Sequence, residues 1–209
     1  MQTLCPPTLI IPIMLQIFKI ATININVISS NARLQMLEDL LWLQDIDFTL
    51  LQEVLHTTLN TIRRYTVHMN IGTSRCGTAI LAKDGLALSN IQRLPSRREI
   101  SSSFRSILIV NIYAPSGAEK RQEREAFYNT EVVHLTPSSS MAMILAGDFN
   151  YVITNGDSTG QRNCSRALAR LIQGLDLIDV WEAIPTRTAY THYTVTGASG
   201  LTEFTLLMT

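Results

Sequence analysis

Charge is scarce in this chain: of 209 residues only 16% are Asp, Glu, Lys or Arg, and 17 of each sign cancel to zero. Soluble domains carry about 25%, so an arginine-rich tail or a uniformly basic nucleic-acid wrapper is excluded, and any charged partner is met locally. Cysteine is equally sparse. Cys5, Cys76 and Cys164 are far apart, odd in number and outside any Cys-x-x-Cys spacing, which excludes a disulfide framework and a structural zinc site. A reducing compartment is then the default. Long apolar runs are lacking as well. Leu9 to Phe18 is broken by Pro12 and Gln16 and falls well short of the roughly 20 residues a membrane helix needs. Met1 to Thr8 holds no Lys or Arg, unlike the start of a secretory signal. The expected location is intracellular, nuclear or cytoplasmic, with no membrane partner, and the sequon at Asn163 would matter only in a secreted chain.

What is present is a globular composition, 46% hydrophobic, at a length that fits one domain with a sizeable core. The expected organisation is an apolar extension over residues 1–17 and one domain over 18–209. The few charges are unevenly spread. Residues 61–105 carry eight basic and two acidic groups, among them Arg63, Arg64, Arg75, Lys83, Arg93, Arg97, Arg98 and Arg105. Sharing one face, these could track a phosphate backbone; the alternative is an ordinary solvated surface.

From Phe18 onward short β-rich runs alternate with amphipathic segments, the pattern of an α/β fold. Strands are expected at Lys19 to Asn24, Phe48 to Leu51, Ser106 to Tyr113 and Met141 to Ala146. Further strands are expected at Leu177 to Trp181, Thr188 to Thr194 and Leu201 to Leu207. Ser30 or Asn31 caps a helix bearing Leu34, Leu37, Leu40 and Leu41, and Ser165 to Ile172 forms another, closed by Gly174. A charged helix spans Glu119 to Leu135 with Ala126, Phe127 and Val133 turned inward. Cys76 to Ala82 and Leu86 to Leu88, flanking Lys83-Asp84-Gly85, read as a hairpin.

Polar residues recur at the ends of these strands, where open α/β sheets gather their chemistry. They are Asn24 and Asn26, then Glu53, then Tyr113, then Asp148 and Asn150. The set is oxygen-rich, with no cysteine or clustered histidine. Carboxylates such as Glu53 and Asp148 suit Mg²⁺, which binds through one or two carboxylates plus substrate phosphate and keeps several waters. Amides and a phenol beside them can donate to phosphate oxygens without adding negative charge. Taken one at a time, an Asp after a strand is more often a turn or cap residue.

In order, Asn24-Ile25-Asn26, Leu50-Leu51-Gln52-Glu53, Asn111-Ile112-Tyr113-Ala114-Pro115, Gly147-Asp148-Phe149-Asn150 and Asp176 to Trp181 resemble the endonuclease/exonuclease/phosphatase superfamily. Ser116-Gly117 and Ser165-Arg166-Ala167-Leu168 bring the chain nearest to the apurinic-type endonuclease domain of non-LTR retrotransposons. The resemblance implies a DNase I-like, four-layered αββα sandwich and Mg²⁺-dependent phosphodiester hydrolysis, with Mn²⁺ as a substitute metal. It implies DNA as partner and a reverse transcriptase domain in the full-length element. By that likeness Glu53 and Asp148 serve the metal site and Asn24 supports its phosphate end. Asp148 also orients or deprotonates the attacking water. Tyr113 and Asn150 contact the scissile phosphate, and Arg98 and Asn26 fall on the substrate side.

The chain also departs from that branch. Val27 and Arg97 stand where the branch has glycine. In Ser199-Gly200-Leu201-Thr202-Glu203-Phe204 the family pattern would be Ser-Arg-Leu-Asp-Arg-Ile, so Gly200 replaces an arginine and Thr202 a carboxylate. The family's closing Ser-Asp-His strand and loop would follow Thr209, and the expectation is a truncated copy with impaired catalysis. His56, His68, His134 and His192 are read as structural or surface residues. Two other readings stay open: a nucleic-acid-binding relic without turnover, and a pseudogene fragment.

Overall fold

The computed structural model describes residues 9–13, 16–26, 28, 30–55, 59, 61–71, 76–135, 137, 141–151, 165–180, 192–194, 197–199 and 204–207, the strands at either end by backbone only. Cys5, Val27, His56, Arg75, Asn163, Cys164, Trp181, Gly200 and Thr202 lie outside the described residues. The chain divides into two compact units, Met1–Phe104 and Arg105–Thr209.

In the first unit, the apolar run expected to precede the domain forms a ribbon. Strand β1 (Leu9–Ile13) pairs antiparallel with the beginning of β2 (Gln16–Asn24), Leu9 opposite Ile20. Helix α1 (Asn31–Leu43) starts where expected: Ser30 is extended, and its hydroxyl accepts from the Arg33 amide at 3.4 Å. Leu37 and Leu41 are its buried residues. The helix returns the chain to β3 (Phe48–Val54), parallel to β2, as a parallel pair requires a crossover. Strands β4 (Tyr65–Asn70) and β5 (Gly77–Lys83) complete a mixed sheet in the order β1-β2-β3-β5-β4. A ribbon of β6 (Ser89–Arg93) and β7 (Glu99–Phe104) follows. One core joins Leu37, Leu41, Ile46, Leu51, Leu59 and Leu81. Elsewhere in this unit Phe18, Phe48 and Phe104 meet with ring centroids 4.9 to 6.0 Å apart.

The expected hairpin around Lys83-Asp84-Gly85 is not formed. The turn exists, with the Leu86 amide donating to Lys83 O at 2.9 Å, but 86–88 is not a strand. Both edges of β5 are already occupied, by β3 and β4, so no edge remains for a third partner.

In the second unit, β8 (Ile107–Tyr113) and β9 (Ala142–Asp148) are parallel, from Ile107 opposite Ala142 to Tyr113 opposite Asp148. Strand β12 (Phe204–Leu207) lies antiparallel on the other side of β9, and β10 (His192–Thr194) pairs with β11 (Gly197–Ser199). Helix α2 (Arg121–Thr130) connects β8 to β9, and α3 (Arg166–Gly174) is capped by the Ser165 hydroxyl on the Leu168 amide at 3.0 Å.

Two expectations are corrected here. The helix predicted over Glu119 to Leu135 is a ten-residue α-helix with a 3₁₀ turn before it and another, Val132–Leu135, after it. The β-branched residues Thr130, Val132 and Val133 weaken helix continuation at that point. Its buried face is therefore Arg124, Phe127 and Tyr128, while Ala126 and Val133 are exposed. The strand expected from Leu177 shrinks to a single bridged residue at Ile178. The unit's core gathers Val110, Ile112, Phe127, Tyr128, Leu145 and Leu168.

Candidate active site

Because β2 and β3 are parallel with Asn24 opposite Gln52, their carboxyl ends stop at one level, and the Ile25 amide extends the pairing to Gln52 O at 3.1 Å. Gln52 points inward. Its buried amide donates to Thr22 Oγ1 at 2.9 Å and to Leu50 O at 3.1 Å. Glu53 then leaves the ladder with φ at 58°, and the pairing with β5 shifts between Gln52 and Val54. This is a β-bulge, a device that re-aims a side chain at a strand end. Gly77 makes it sterically feasible: a Cβ there would lie 2.0 Å from Val54 O. A left-handed backbone at a non-glycine residue costs about 1–2 kcal/mol.

The re-aimed carboxylate is held. Asn24 Nδ2 donates to Glu53 Oε1 at 3.0 Å, and Asn24 Oδ1 accepts from the Asn26 amide at 2.9 Å. Asn26 is itself left-handed, φ 41°. Three sequence-predicted residues, Asn24, Asn26 and Glu53, are thus one hydrogen-bonded cluster on the first unit.

Arg98 lies half-buried in the turn between β6 and β7. That turn is tied to the start of β5: Thr78 Oγ1 donates to Arg97 O at 3.5 Å, and Cys76 Sγ to Ser96 O at 3.7 Å. Thr78 pairs with Gln52, so the Arg98 turn belongs to the Glu53 end of the sheet. Arg93 is at the same end, its Nε donating to Met69 O at 2.7 Å. Arg63, Arg64 and Lys83 are at the other end, where Tyr65 pairs with Lys83 and the Lys83 ammonium is bound to Asp45 and Asp47. Arg63, Arg64 and Lys83 are therefore at the opposite end of this unit from Arg93 and Arg98. Among the titratable groups here, burial and then the Arg93 charge hold the His68 imidazole below its ordinary value. Burial, and then Asp45 and Asp47, push the Tyr65 phenol up to about 12.

A second cluster stands on the other unit, at the carboxyl ends of β8 and β9. Gly147 has φ 138°, and a Cβ on it would lie 1.9 Å from Ile112 O, so the parallel strands approach as closely as they do only with glycine there. The next residues interlock. The Ala114 amide donates to Asp148 O at 2.8 Å, the Asn150 amide to Asp148 Oδ1 at 3.0 Å, and Asn150 Nδ2 to Ala114 O at 2.8 Å. Asp148 is 9% exposed and Tyr113, opposite it, 6%. The structure thus joins Asp148 and Asn150 directly and sets Tyr113 on the adjoining strand.

Two residues that motif reading missed attach here. Arg124 Nη1 donates to Pro115 O at 2.7 Å and Gly117 O at 2.6 Å, with its guanidinium 4.4 Å from the Tyr151 ring centroid. The Tyr128 hydroxyl donates to Phe149 O. The available signal was positional: Arg124 stands three and four residues before Phe127 and Tyr128, on the apolar stripe of α2.

The donors in both clusters are carboxylate, amide and phenol oxygens. Among the described residues no three His, Cys, Asp or Glu side chains gather around one point. Carboxylate, amide and phenol oxygens are hard donors, of the kind that divalent cations such as Mg²⁺ accept. Among the described residues no helix is long and apolar enough to cross a membrane.

Residues 21–202 match the Endonuclease/Exonuclease/phosphatase family, and the chain belongs to it. The motif resemblance is thereby met. Over 131 residues the chain is 31% identical to the Transposon TX1 uncharacterized 149 kDa protein of Xenopus laevis, covering 57% of this chain and 10% of that protein. The chain spans about a tenth of that relative's length. An AP endonuclease from Archaeoglobus fulgidus is similar in structure, with TM-score 0.73 and 21% identity over 90% of this chain and 86% of that one. So is the 3′ phosphatase NExo from Neisseria bound to product DNA hairpin, with TM-score 0.69 and 21% identity over 91% and 86%. These likenesses establish the DNase I-like α/β fold expected from the sequence.

Proposed function

We propose that the chain is a metal-dependent phosphodiesterase that nicks DNA, working as the endonuclease part of a transposon-encoded protein with a reverse transcriptase domain. The observation that carries this is Glu53: a half-buried carboxylate placed by a strained bulge and fastened by Asn24. Strain of this kind persists where the surroundings over-determine it, and it concentrates at functional sites. Similarity to a transposon protein and to a 3′ phosphatase bound to a DNA hairpin supports the choice of substrate.

In this reading Glu53, with Asn24 behind it, would hold Mg²⁺, with Mn²⁺ as substitute, and Asp148 is the second carboxylate assigned to the metal. Bound there, a metal would supply Lewis-acid polarisation of a phosphoryl oxygen and offset of the charge that develops on it. Asp148 orients the attacking water and accepts its proton, its Oδ1 already fixed by the Asn150 amide. Tyr113 and the Asn150 amide group donate to the phosphate oxygens. Arg98 and Asn26 meet the DNA backbone. Gly200 and Thr202, where the family pattern has arginine and aspartate, lower turnover, because one positioned acid or base contributes about 10² to 10⁴ in rate.

The test is nicking of supercoiled plasmid by the purified chain, with Mg²⁺ and with chelator, beside Glu53→Ala and Asp148→Ala. Nicking that needs the metal and both carboxylates supports the reading. Nicking indifferent to both substitutions overturns it. Salt-dependent DNA binding by folded chain without any nicking would favour the relic reading instead.

A further inference from the structure

We propose that Arg124 and Tyr128 of α2 are positioning residues for the second cluster, two pins one helical turn apart that set the spacing between the segment after β8 and the turn after β9. Residues four apart project from the same face of a helix, about 6 Å apart along its axis at 1.5 Å per residue. Here both face inward: Arg124 is 2% exposed and Tyr128 1%. Each donates to backbone of a different strand end. Arg124 takes the carbonyls of Pro115 and Gly117, in the segment that leaves Tyr113. Tyr128 takes the carbonyl of Phe149, the residue between Asp148 and Asn150.

Carbonyls beyond a strand end have no ladder partner and, once buried, require a donor from elsewhere. Pro115 is buried, while the exposed Gly117 also accepts from the Lys120 amide at 3.2 Å. A guanidinium is well suited to this pair, because the two N–H groups of its Nη1 are held in one plane. Its charge rests on those carbonyls and on the Tyr151 ring. Burial, and then the Asp148 carboxylate, push the Tyr128 phenol well above its ordinary value, so its hydroxyl remains a donor. The helix that carries the pins is anchored too. Glu125 Oε2 accepts from the Ala167 amide at 3.0 Å, tying α2 to the beginning of α3.

The consequence of such pinning is geometric. A misplacement of about 1 Å in reacting groups can lower turnover about a hundredfold. The catalytic half of this inference rests on the proposed phosphodiesterase reading; the geometric half does not.

The experiment compares the parent chain with Tyr128→Phe, which removes one oxygen and keeps the ring, and with Arg124→Lys, which keeps the charge and loses the fork. Amide hydrogen exchange is followed residue by residue, and Mg²⁺-dependent plasmid nicking is measured for kcat and KM. We expect exchange at Ala114 and Asn150 to rise about tenfold, the scale of one lost hydrogen bond, while Val110 and Leu145 inside β8 and β9 keep their protection. With it kcat falls about 10- to 100-fold at unchanged KM. Uniform acceleration through both strands would show a merely structural role and overturn the proposal, as would unchanged exchange at Asn150. If Tyr128→Phe does not fold, the same comparison is made on Arg124→Lys. Should the parent chain show no nicking, the exchange pattern still decides the geometry, and only the catalytic reading fails.

Discussion

Replacing Gly147 with alanine should be among the most damaging single changes available to the second unit. Its φ of 138° falls where L side chains rarely go, which costs about 1–3 kcal/mol. The added Cβ would also sit 1.9 Å from Ile112 O and 2.8 Å from Ile112 N. Those are backbone atoms of the neighbouring strand and cannot rotate away, so β8 and β9 must part, with an overpacking cost of about 1–3 kcal/mol. Reduced freedom of the unfolded chain returns about 0.4–1 kcal/mol, leaving a net loss of about 3 kcal/mol. The assay is urea unfolding followed by circular dichroism. With a slope of about 1–3 kcal/mol per molar urea, the midpoint should fall by about 1 M or more. Gly174→Ala is the control: nothing lies within 4 Å of its Cβ, and alanine is the better helix former, so stability should hold or rise by up to about 1 kcal/mol. A Gly147→Ala midpoint equal to the parent's would refute the argument, as would an equal loss in the control.

Two further outcomes follow from the first unit. Gly77→Ala places a Cβ 2.0 Å from Val54 O at the bulge, so it should lower stability by about 1–3 kcal/mol and disturb Mg²⁺ binding measured by calorimetry; an unchanged isotherm with unchanged stability would refute the bulge argument. The Tyr65 phenol, ordinarily near 10 and pushed up to about 12 in the folded chain, holds its proton where the unfolded chain loses it. Its stabilisation is therefore complete below pH 10 and is lost as pH rises through 12. Urea midpoints in mild and strong alkali should fall less steeply for Tyr65→Phe than for the parent, and parallel falls would count against the shift.

The parts of the fold legible in the sequence were those where local pattern and tertiary role coincide. Ser30 and Ser165 cap helices in the structure as their type implies, and β3, β8 and β9 are continuous apolar runs that are buried. Strand β7 shows the opposite case. Its Ser101, Ser102 and Ser103 are buried although nothing in their hydropathy says so, and β4, with one fully buried residue, alternates too weakly to stand out. Asn24, Glu53, Tyr113, Asp148 and Asn150 stood out because polar groups ending apolar strands are conspicuous, and the structure places them at or just beyond the ends of β2, β3, β8 and β9. Arg124 and Tyr128 did not, since their contacts depend on which face of α2 turns inward. Nor could the sequence show that Arg63, Arg64 and Lys83 stand at the opposite end of the first unit from Arg93 and Arg98.

The left-handed backbone at Glu53 has a consequence for how this protein would decay. Asparagine tolerates such a conformation comparatively well, so Asn26 and Asn150, at φ 41° and 50°, sit there with little penalty. Glutamate does not, and at position 53 glycine would relax the backbone. A single substitution could therefore lose the carboxylate while relieving the fold. On the proposed reading only the chemistry favours glutamate there, so Glu53 is a sensitive marker of drift: copies of this chain that have ceased to need that chemistry should lose it early and remain folded.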